Sequence, residues 1–200
     1  DYTDGRCDEV YSYITERSRL RPGSKKRVGI VSLFTKNYPA EFQQAMNNHR
    51  VYADLHGYKL MHAYEFPAMP PREGGASERW YRNTWWKPQM MLDAVIQALA
   101  DDSLDFLLWI DADALFMDLL RPLDFLTALD ETIVLSADLQ GMNIGVVLVR
   151  VSKHAVDIYR RIIDVFYNAS VTYTPDGLRE VDFIFEQLGH AAVFSTLPAH

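Results

Sequence analysis

The segment LDFLLWI, residues 104–110, constrains the fold most, because it is apolar almost throughout and shows no alternation. A strand of this pattern is typically buried on both faces of its sheet, and both faces of a parallel sheet are covered by helices. Strand-like and helix-like segments alternate along most of the chain. We therefore predict an α/β domain, with helices packed on a single, mainly parallel central sheet.

Hydrophobic periodicity and the positions of Gly and Pro predict the remaining elements. Strands are expected at 27–35, 59–66, 131–138, 142–150 and 191–196, and helices at 38–58, 85–103, 152–169 and 178–189. Gly57 is a natural end for the first helix, since glycine adopts the left-handed conformation that closes a helix. Pro88 suits the first position of a helix. Residues 67–80 are rich in Pro and Gly and are predicted to form a loop.

The composition indicates one domain. The chain has 200 residues, of which 48% are hydrophobic, enough for one sizeable core. Residues 1–26 read as an N-terminal extension and linker, and residues 27–200 as the folded domain.

The net charge of −7 argues against a nucleic-acid-binding surface. Cys7 is the only cysteine, which excludes an internal disulfide and a cysteine-based zinc site.

Two aspartates follow the buried strand directly. In an extended backbone, Asp111 and Asp113 would face the same way, at the strand end where α/β sheets bind ligands. Two carboxylates that close together repel each other unless a proton or a cation lies between them. Hard oxygen donors suit Mg²⁺ or Mn²⁺. The alternative is structural, with Asp111 capping the next turn and Asp113 facing solvent.

The segment WIDADALFMD resembles the Asp-x-Asp motif of GT-A glycosyltransferases. More narrowly, the chain resembles the family of fungal α-galactosyl- and α-mannosyltransferases and plant xyloglucan α-xylosyltransferases. Four further segments fit this family in order: RVGIVSLFT, YADLHGYKL, WWKPQMM and MNIGVVLVR. The resemblance implies a Rossmann-like GT-A domain. It also implies metal-dependent transfer of a hexosyl or pentosyl unit from a nucleotide-diphosphate sugar to a glycan or glycoprotein, with retention of configuration.

The resemblance assigns roles on the donor side of the site. Asp111 and Asp113 would hold Mn²⁺ or Mg²⁺, and Asp111 would also reach the ribose or the waters of the metal. Lys87 would lie near the diphosphate, and a surface charge at a helix start is the open alternative. The end of the first strand would meet the base and ribose of the nucleotide through Leu33, Phe34 and Thr35. Ordinary core packing is the open alternative for Leu33 and Phe34.

On the sugar and acceptor side, the resemblance points to the strand opposite the motif and to a late helix. Asn143 would offer its amide to a sugar hydroxyl, and Gly145 would allow the ligand to approach the backbone. A purely structural role as a turn residue is the open alternative for Asn143. Asp138, on a loop before that strand, would orient the sugar or acceptor. Glu180 and Asp182 would open the late helix, facing the sugar or acceptor. Acidic residues are also favoured in a first helical turn for electrostatic reasons alone.

The family normally completes its metal site with a late histidine in a His-x-x-Gly-like segment. Neither His190 nor His200 has that context, so the third protein ligand stays open, and we expect the domain to extend beyond residue 200. The Asn168 glycosylation sequon, together with the resemblance, suggests the Golgi lumen, with a type II membrane anchor outside this sequence.

Two other readings remain. The apolar strand before Asp111 also resembles the first motif of haloacid-dehalogenase-like phosphotransferases, in which Asp111 would be the nucleophile and Ser136 part of the second motif. The third reading is a module that binds a nucleotide sugar without turning it over.

Overall fold

A computed structural model describes residues 26–34, 42–65, 78–138, 141–168, 172–173, 179–180, 190, 193–194 and 196. The helices are α1 (Phe42–His56), α2 (Glu78–Asp101), α3 (Asp124–Thr127) and α4 (Lys153–Asn168). The strands are β1 (Val28–Leu33), β2 (Lys59–Ala63), β3 (Phe106–Ile110), β4 (Ile133–Asp138), β5 (Gly141–Arg150), β6 (Thr172–Tyr173) and β7 (Arg179–Glu180). Within these residues, β1 to β5 form one sheet, and β6 and β7 form a separate pair.

The larger sheet is mixed. Its strand order is β2-β1-β3-β5-β4, in which β1 runs parallel to β2 and β3, and β5 runs antiparallel to β3 and β4. The prediction of a mainly parallel sheet is therefore wrong. The reason is the short connection between Asp138 and Gly141. Too few residues separate β4 from β5 for the crossover that parallel neighbours need, so the two strands pair as a hairpin.

Strand β3 is buried at every position, as its sequence predicts. Its side chains divide between two cores. Leu107 and Trp109 pack in the core that contains α2 and α4, together with Met91 and Ile162. The other three side chains of β3 pack with Tyr52 of α1 on the opposite face of the sheet. A strand enclosed by helices on both sides holds its carboxyl end in a fixed place.

Helix α1 ends at the glycine that the sequence predicts. Gly57 has a φ of 70°, the left-handed conformation, and the Tyr58 amide donates to the Ala53 carbonyl at 2.8 Å. This is the hydrogen-bond pattern with which glycine commonly ends a helix. The buried Tyr58 hydroxyl then accepts a hydrogen bond from the Leu123 amide at 2.9 Å. The helix is thereby tied to the segment that follows β3.

Helix α2 begins earlier than predicted. It starts at Glu78, so Pro88 lies inside the helix rather than at its first position. The segment ERWYRNT, residues 78–84, contains no Gly or Pro, and nothing in it stops a helix from extending toward the N-terminus. Lys87 consequently lies in the middle of a helix and not at its start.

Two predictions for the C-terminal part of the sequence are also wrong. Residues 193–194 are helical rather than part of a strand over 191–196. Arg179–Glu180 form β7 and pair with Thr172–Tyr173, so Glu180 is not in the first turn of a helix. The sequence TPDG at 174–177, between the paired segments, is typical of a turn, and it favours a hairpin over a helix. None of the helices in the described part of the chain is long and apolar enough to cross a membrane.

Candidate active site at the carboxyl end of β3

The chain turns immediately after β3. The Asp111 amide donates to the Gly145 carbonyl at 2.8 Å, and the Ala114 amide donates back to the Asp111 carbonyl at 3.0 Å. Ala112 is buried, whereas Asp113 is exposed. The extended backbone expected across Asp111 and Asp113 is therefore wrong, because the strand ends at Ile110 and a tight turn begins. We call residues 111–114 the Asp-x-Asp turn.

The Asp111 carboxylate is held by two donors on one oxygen. The Trp109 indole nitrogen donates to Asp111 Oδ1 at 2.5 Å, and the Lys87 ammonium lies 2.8 Å from the same atom. The Lys87 side chain is only 13% exposed. It also donates to the Ile144 carbonyl at 3.2 Å, and it lies 5.5 Å from the Trp109 ring centroid. The structure thus places Lys87 beside the Asp-x-Asp turn, and its role near a diphosphate stays a prediction.

Strand β5 supplies the opposite wall of the site. Asn143 Oδ1 accepts a hydrogen bond from the Gly145 amide at 2.8 Å. A methyl group added at Gly145 would lie 3.1 Å from Asn143 Oδ1 and 3.2 Å from Asp111 Oδ2. These separations are tighter than ordinary contacts, so the absence of a side chain at Gly145 is what lets Asp111 approach β5. Asp111, Asn143, Gly145 and Lys87 therefore meet at one point.

The donor set fits a hard divalent cation that keeps positions for substrate and water. Such ions are often held by one or two carboxylates together with phosphate oxygens. Asp113 is exposed, and both polar contacts described for Asp111 fall on Oδ1. Asp113 and Asp111 Oδ2 are the carboxylate oxygens that a bound ion would use. Within the described residues, no group of three or more His, Cys, Asp or Glu side chains could hold a metal by itself.

His190 belongs to the core. It is 1% exposed, and its ring makes an edge contact with Tyr159 at 5.8 Å and lies 6.0 Å from Phe194. Burial also raises the pKa of Tyr159, consistent with a tightly packed apolar region. His190 is therefore a packing residue, and His200 lies outside the described residues.

The first-strand residues are brought close to the turn, but their side chains point into the protein. Leu33 is buried in the core that contains α2 and α4, and Phe34 packs with Ala45 and Ala112 beneath the Asp-x-Asp turn. This burial favours core packing, the alternative that the sequence left open, and leaves their backbone as the part that could meet a nucleotide. Thr35 lies outside the described residues.

The structure describes two of the three residues predicted on the acceptor side. Asp138 is the last residue of β4 and pairs with Gly141, so it belongs to the strand predicted over 131–138 and not to the loop assigned to it as a site residue. Glu180 lies in β7, and Asp182 falls outside the described residues.

Sequence reasoning missed Ser32 and His49. Both are completely buried, and both bind the backbone around the Asp-x-Asp turn: Ser32 Oγ donates to the Ile110 carbonyl at 2.6 Å, and His49 Nε2 lies 2.8 Å from the Ala114 carbonyl. Burial lowers the pKa of His49, which favours the neutral ring. The available signal was a histidine on the apolar face of α1, a pattern that more often marks ordinary core.

No protein-family model matches this sequence, and no curated protein matches it significantly. Its fold is similar to the crystal structure of a glycosyltransferase involved in the glycosylation of the major capsid of PBCV-1. The TM-score is 0.61 at 17% sequence identity, and the match covers 87% of this chain and 79% of that chain. At this identity the similarity establishes the fold, so the chain has the fold of a glycosyltransferase.

Proposed function

We propose that the chain transfers a glycosyl unit from a nucleotide-diphosphate sugar to a glycan or glycoprotein, with Mn²⁺ or Mg²⁺ as cofactor. One observation carries this proposal: a partly buried lysine, Lys87, is paired with Asp111 at the end of β3, next to the exposed Asp113. A fixed positive charge beside two carboxylates suits a ligand that is an anion accompanied by a divalent ion. A diphosphate is such a ligand, and the fold shared with a glycosyltransferase supports this choice.

Departure of the nucleoside diphosphate builds negative charge on the phosphate that leaves. A divalent ion held by Asp113 and Asp111 would act as a Lewis acid on that charge. Lys87 would contribute a second positive charge, already positioned by its contacts with Asp111 and the Ile144 carbonyl. Asn143 would offer its side-chain amide to a sugar hydroxyl, a role that the resemblance implies.

The narrower assignments rest on the resemblance to the fungal and plant family. They are a hexosyl or pentosyl donor, retention of configuration, and acceptor-side roles for Asp138, Glu180 and Asp182. For Asp182, we expect that replacement by Asn lowers transfer more than donor binding, because this group would act on the sugar or acceptor. Equal losses in both measurements would remove Asp182 from that role.

The Golgi lumen is the proposed location. Asn168, the last residue of α4, is the acceptor of the sequon Asn-Ala-Ser. Expression in a secretory host should therefore add a glycan to Asn168, seen as a mass increase that peptide-N-glycosidase removes. An unmodified Asn168 in secreted protein would count against this location.

The phosphotransferase reading has less support from the geometry. Strand β5 lies between β3 and β4, and the exposed Ser136 hydroxyl donates to the Asn143 carbonyl at 3.3 Å within the β4–β5 hairpin. Asp111 is engaged by Lys87 and Trp109, contacts that suit an electrostatic role better than a nucleophilic one.

The test is an activity screen. Purified protein is incubated with Mn²⁺, a panel of UDP- and GDP-sugars and a mixture of oligosaccharide acceptors, and products are followed by mass spectrometry. The proposal expects a product heavier by one sugar, with release of the nucleoside diphosphate, and loss of both when the metal is chelated. A generic aryl phosphate serves as the competing substrate. Its turnover, without any glycosyl transfer, would favour the phosphotransferase. Binding of a nucleotide sugar without turnover would favour the non-catalytic module.

A further inference from the structure

A buried pair of side chains spans the Asp-x-Asp turn from below. Ser32 Oγ donates to the carbonyl of Ile110, the residue before the turn, at 2.6 Å. His49 Nε2 contacts the carbonyl of Ala114, the last residue of the turn, at 2.8 Å. The two side chains also meet each other, with Ser32 Oγ 3.3 Å from His49 Nδ1. These two side chains, which we call the Ser32–His49 bridge, therefore hold both ends of the turn that carries Asp111 and Asp113.

The protonation of His49 follows from its partners. A carbonyl oxygen can only accept, so Nε2 must carry the proton that bonds to Ala114. In a neutral imidazole, Nδ1 is then an acceptor. Because the single Ser32 proton goes to the Ile110 carbonyl at 2.6 Å, the 3.3 Å approach of Ser32 Oγ to Nδ1 is a packing contact and not a second hydrogen bond. Burial lowers the pKa of His49, so this neutral form is the one expected near pH 7. No group of the bridge reaches solvent, since Ser32 and His49 are both 0% exposed.

The surroundings hold the His49 ring in place. Its centroid lies 5.7 Å from the centroids of Phe34, His62 and Phe116. The adjacent Asn48 donates to the Phe116 carbonyl at 3.0 Å and accepts from the Phe116 amide at 2.8 Å. Helix α1 thus binds the backbone just after the turn as well as at its end. Contacts with α1 therefore help to fix the position of the turn.

We infer that His49, supported by Ser32, is a positioning residue for the aspartate pair and, resting on the proposed function, tunes the affinity of the site for a divalent ion and its nucleotide sugar. Neither side chain is placed to touch a ligand. Some residues orient a metal-binding group without touching the metal. Removing such a residue commonly lowers metal affinity or activity by about 10- to 100-fold.

The experiment compares four variants with the wild type. His49→Phe keeps an aromatic ring but loses the donor to Ala114, and His49→Gln restores an N–H donor near the position of Nε2. Ser32→Ala removes the other end of the bridge and provides a second variant if His49→Phe fails to fold. Tyr52→Phe is the matched control. Tyr52 is also buried on α1, and its hydroxyl donates to the carbonyl of Arg121, a residue that follows the turn in the connection between β3 and β4, at 2.6 Å.

Two quantities are measured on each folded variant: amide hydrogen exchange of peptides covering 110–116, and the dissociation constant for a nucleotide sugar in the presence of Mn²⁺. We expect faster exchange at 110–116 in His49→Phe and Ser32→Ala, with donor affinity about tenfold weaker. His49→Gln should regain most of the affinity, and Tyr52→Phe should change neither quantity at the turn.

The outcomes separate this inference from the proposed function. Unchanged exchange at 110–116 in His49→Phe and Ser32→Ala would overturn the positioning role, whatever the binding data show. Equal loss of affinity in Tyr52→Phe and His49→Phe would assign His49 to general stability, and so would also overturn it. Faster exchange in both variants, with no nucleotide sugar bound by the wild type, would uphold the positioning of the turn and overturn the proposed ligand.

Discussion

The Lys87 ammonium lies 2.8 Å from the Asp111 carboxylate, at the point where β3 ends and the Asp-x-Asp turn begins. The pair is partly enclosed, since the Lys87 side chain is 13% exposed and that of Asp111 33%. Surface ion pairs contribute little, but removing one partner of an enclosed pair leaves a poorly solvated charge behind. The pairing therefore fixes the geometry of the site before any ligand arrives.

Replacing Lys87 with Met should weaken donor binding and also lower the stability of the fold, since the partly enclosed Asp111 carboxylate loses its ion-pair partner. The variant loses a charge-assisted contact to the diphosphate, which we expect to cost about 1.5 kcal/mol, or roughly tenfold in affinity. Calorimetric titration with a nucleotide sugar and Mn²⁺ measures this effect. Lys153→Met, at an exposed lysine of α4, is the control and should bind as the wild type does. Equal affinity for both variants would exclude Lys87 from the donor site.

A methyl group at Gly145 should disturb the site through two contacts. It would lie 3.1 Å from Asn143 Oδ1 and 3.2 Å from Asp111 Oδ2, so one or both side chains must move. Crowding of this kind typically costs about 1–3 kcal/mol, and here we expect the loss in donor affinity as well as in stability. Gly29→Ala is the matched control. Its methyl would lie 2.7 Å from Leu104 in the core, so it should lower stability and leave the affinity of the folded protein unchanged. A Gly145→Ala variant with wild-type affinity would contradict this account.

Acid should destabilise the fold through His62. Burial, followed by repulsion from His49 and Arg50, lowers the pKa of His62 from 6.5 to about 4. Above pH 6.5 the ring is neutral in both the folded and the unfolded state and has no effect. Between about 6.5 and 4 the unfolded state binds a proton that the folded state does not, so the free energy of unfolding falls as the pH falls.

Denaturant unfolding at several pH values tests this effect. The His62→Phe variant should lose less stability than the wild type between pH 6.5 and 4, because one of the titrating groups is gone. The comparison at pH 7.5 gives the cost of the substitution itself. Identical pH dependence in the two proteins would show that His62 is not the cause.

The sequence predicts some features of this site because their causes are local. The unbroken apolar run of β3 indicates a strand covered on both faces, and Gly57 marks the end of α1. The segment WWKPQMM and the family resemblance singled out Lys87 for a place near the diphosphate, which stays a prediction, and the helix around it was predicted to start too late.

Other features depend on contacts that no local pattern encodes. The mixed sheet follows from the short connection between β4 and β5, which the alternation of strands and helices alone did not reveal. The bridge of Ser32 and His49 joins three separate segments of the chain, and its meaning is visible only once Ile110 and Ala114 are placed beside it. A turn at Asp111 with Asp113 facing solvent was kept only as the structural alternative, because the strand was assumed to continue through both aspartates, and the observed turn and exposed Asp113 agree with that alternative.

The most direct test of the central claim is a binding isotherm for a nucleotide sugar with Mn²⁺, measured on wild type, Asp113→Asn and Asp118→Asn. Asp118 is the matched control, because it is an exposed aspartate of the same segment that pairs with Arg121. We expect binding that requires Mn²⁺ in the wild type and in Asp118→Asn, and none in Asp113→Asn. At a concentration 100 times the dissociation constant, the ligand should also stabilise the two binding proteins by about 2.7 kcal/mol. Equal binding by Asp113→Asn and the wild type, or binding that is indifferent to metal, would contradict the claim that the Asp-x-Asp turn holds a divalent ion and its diphosphate.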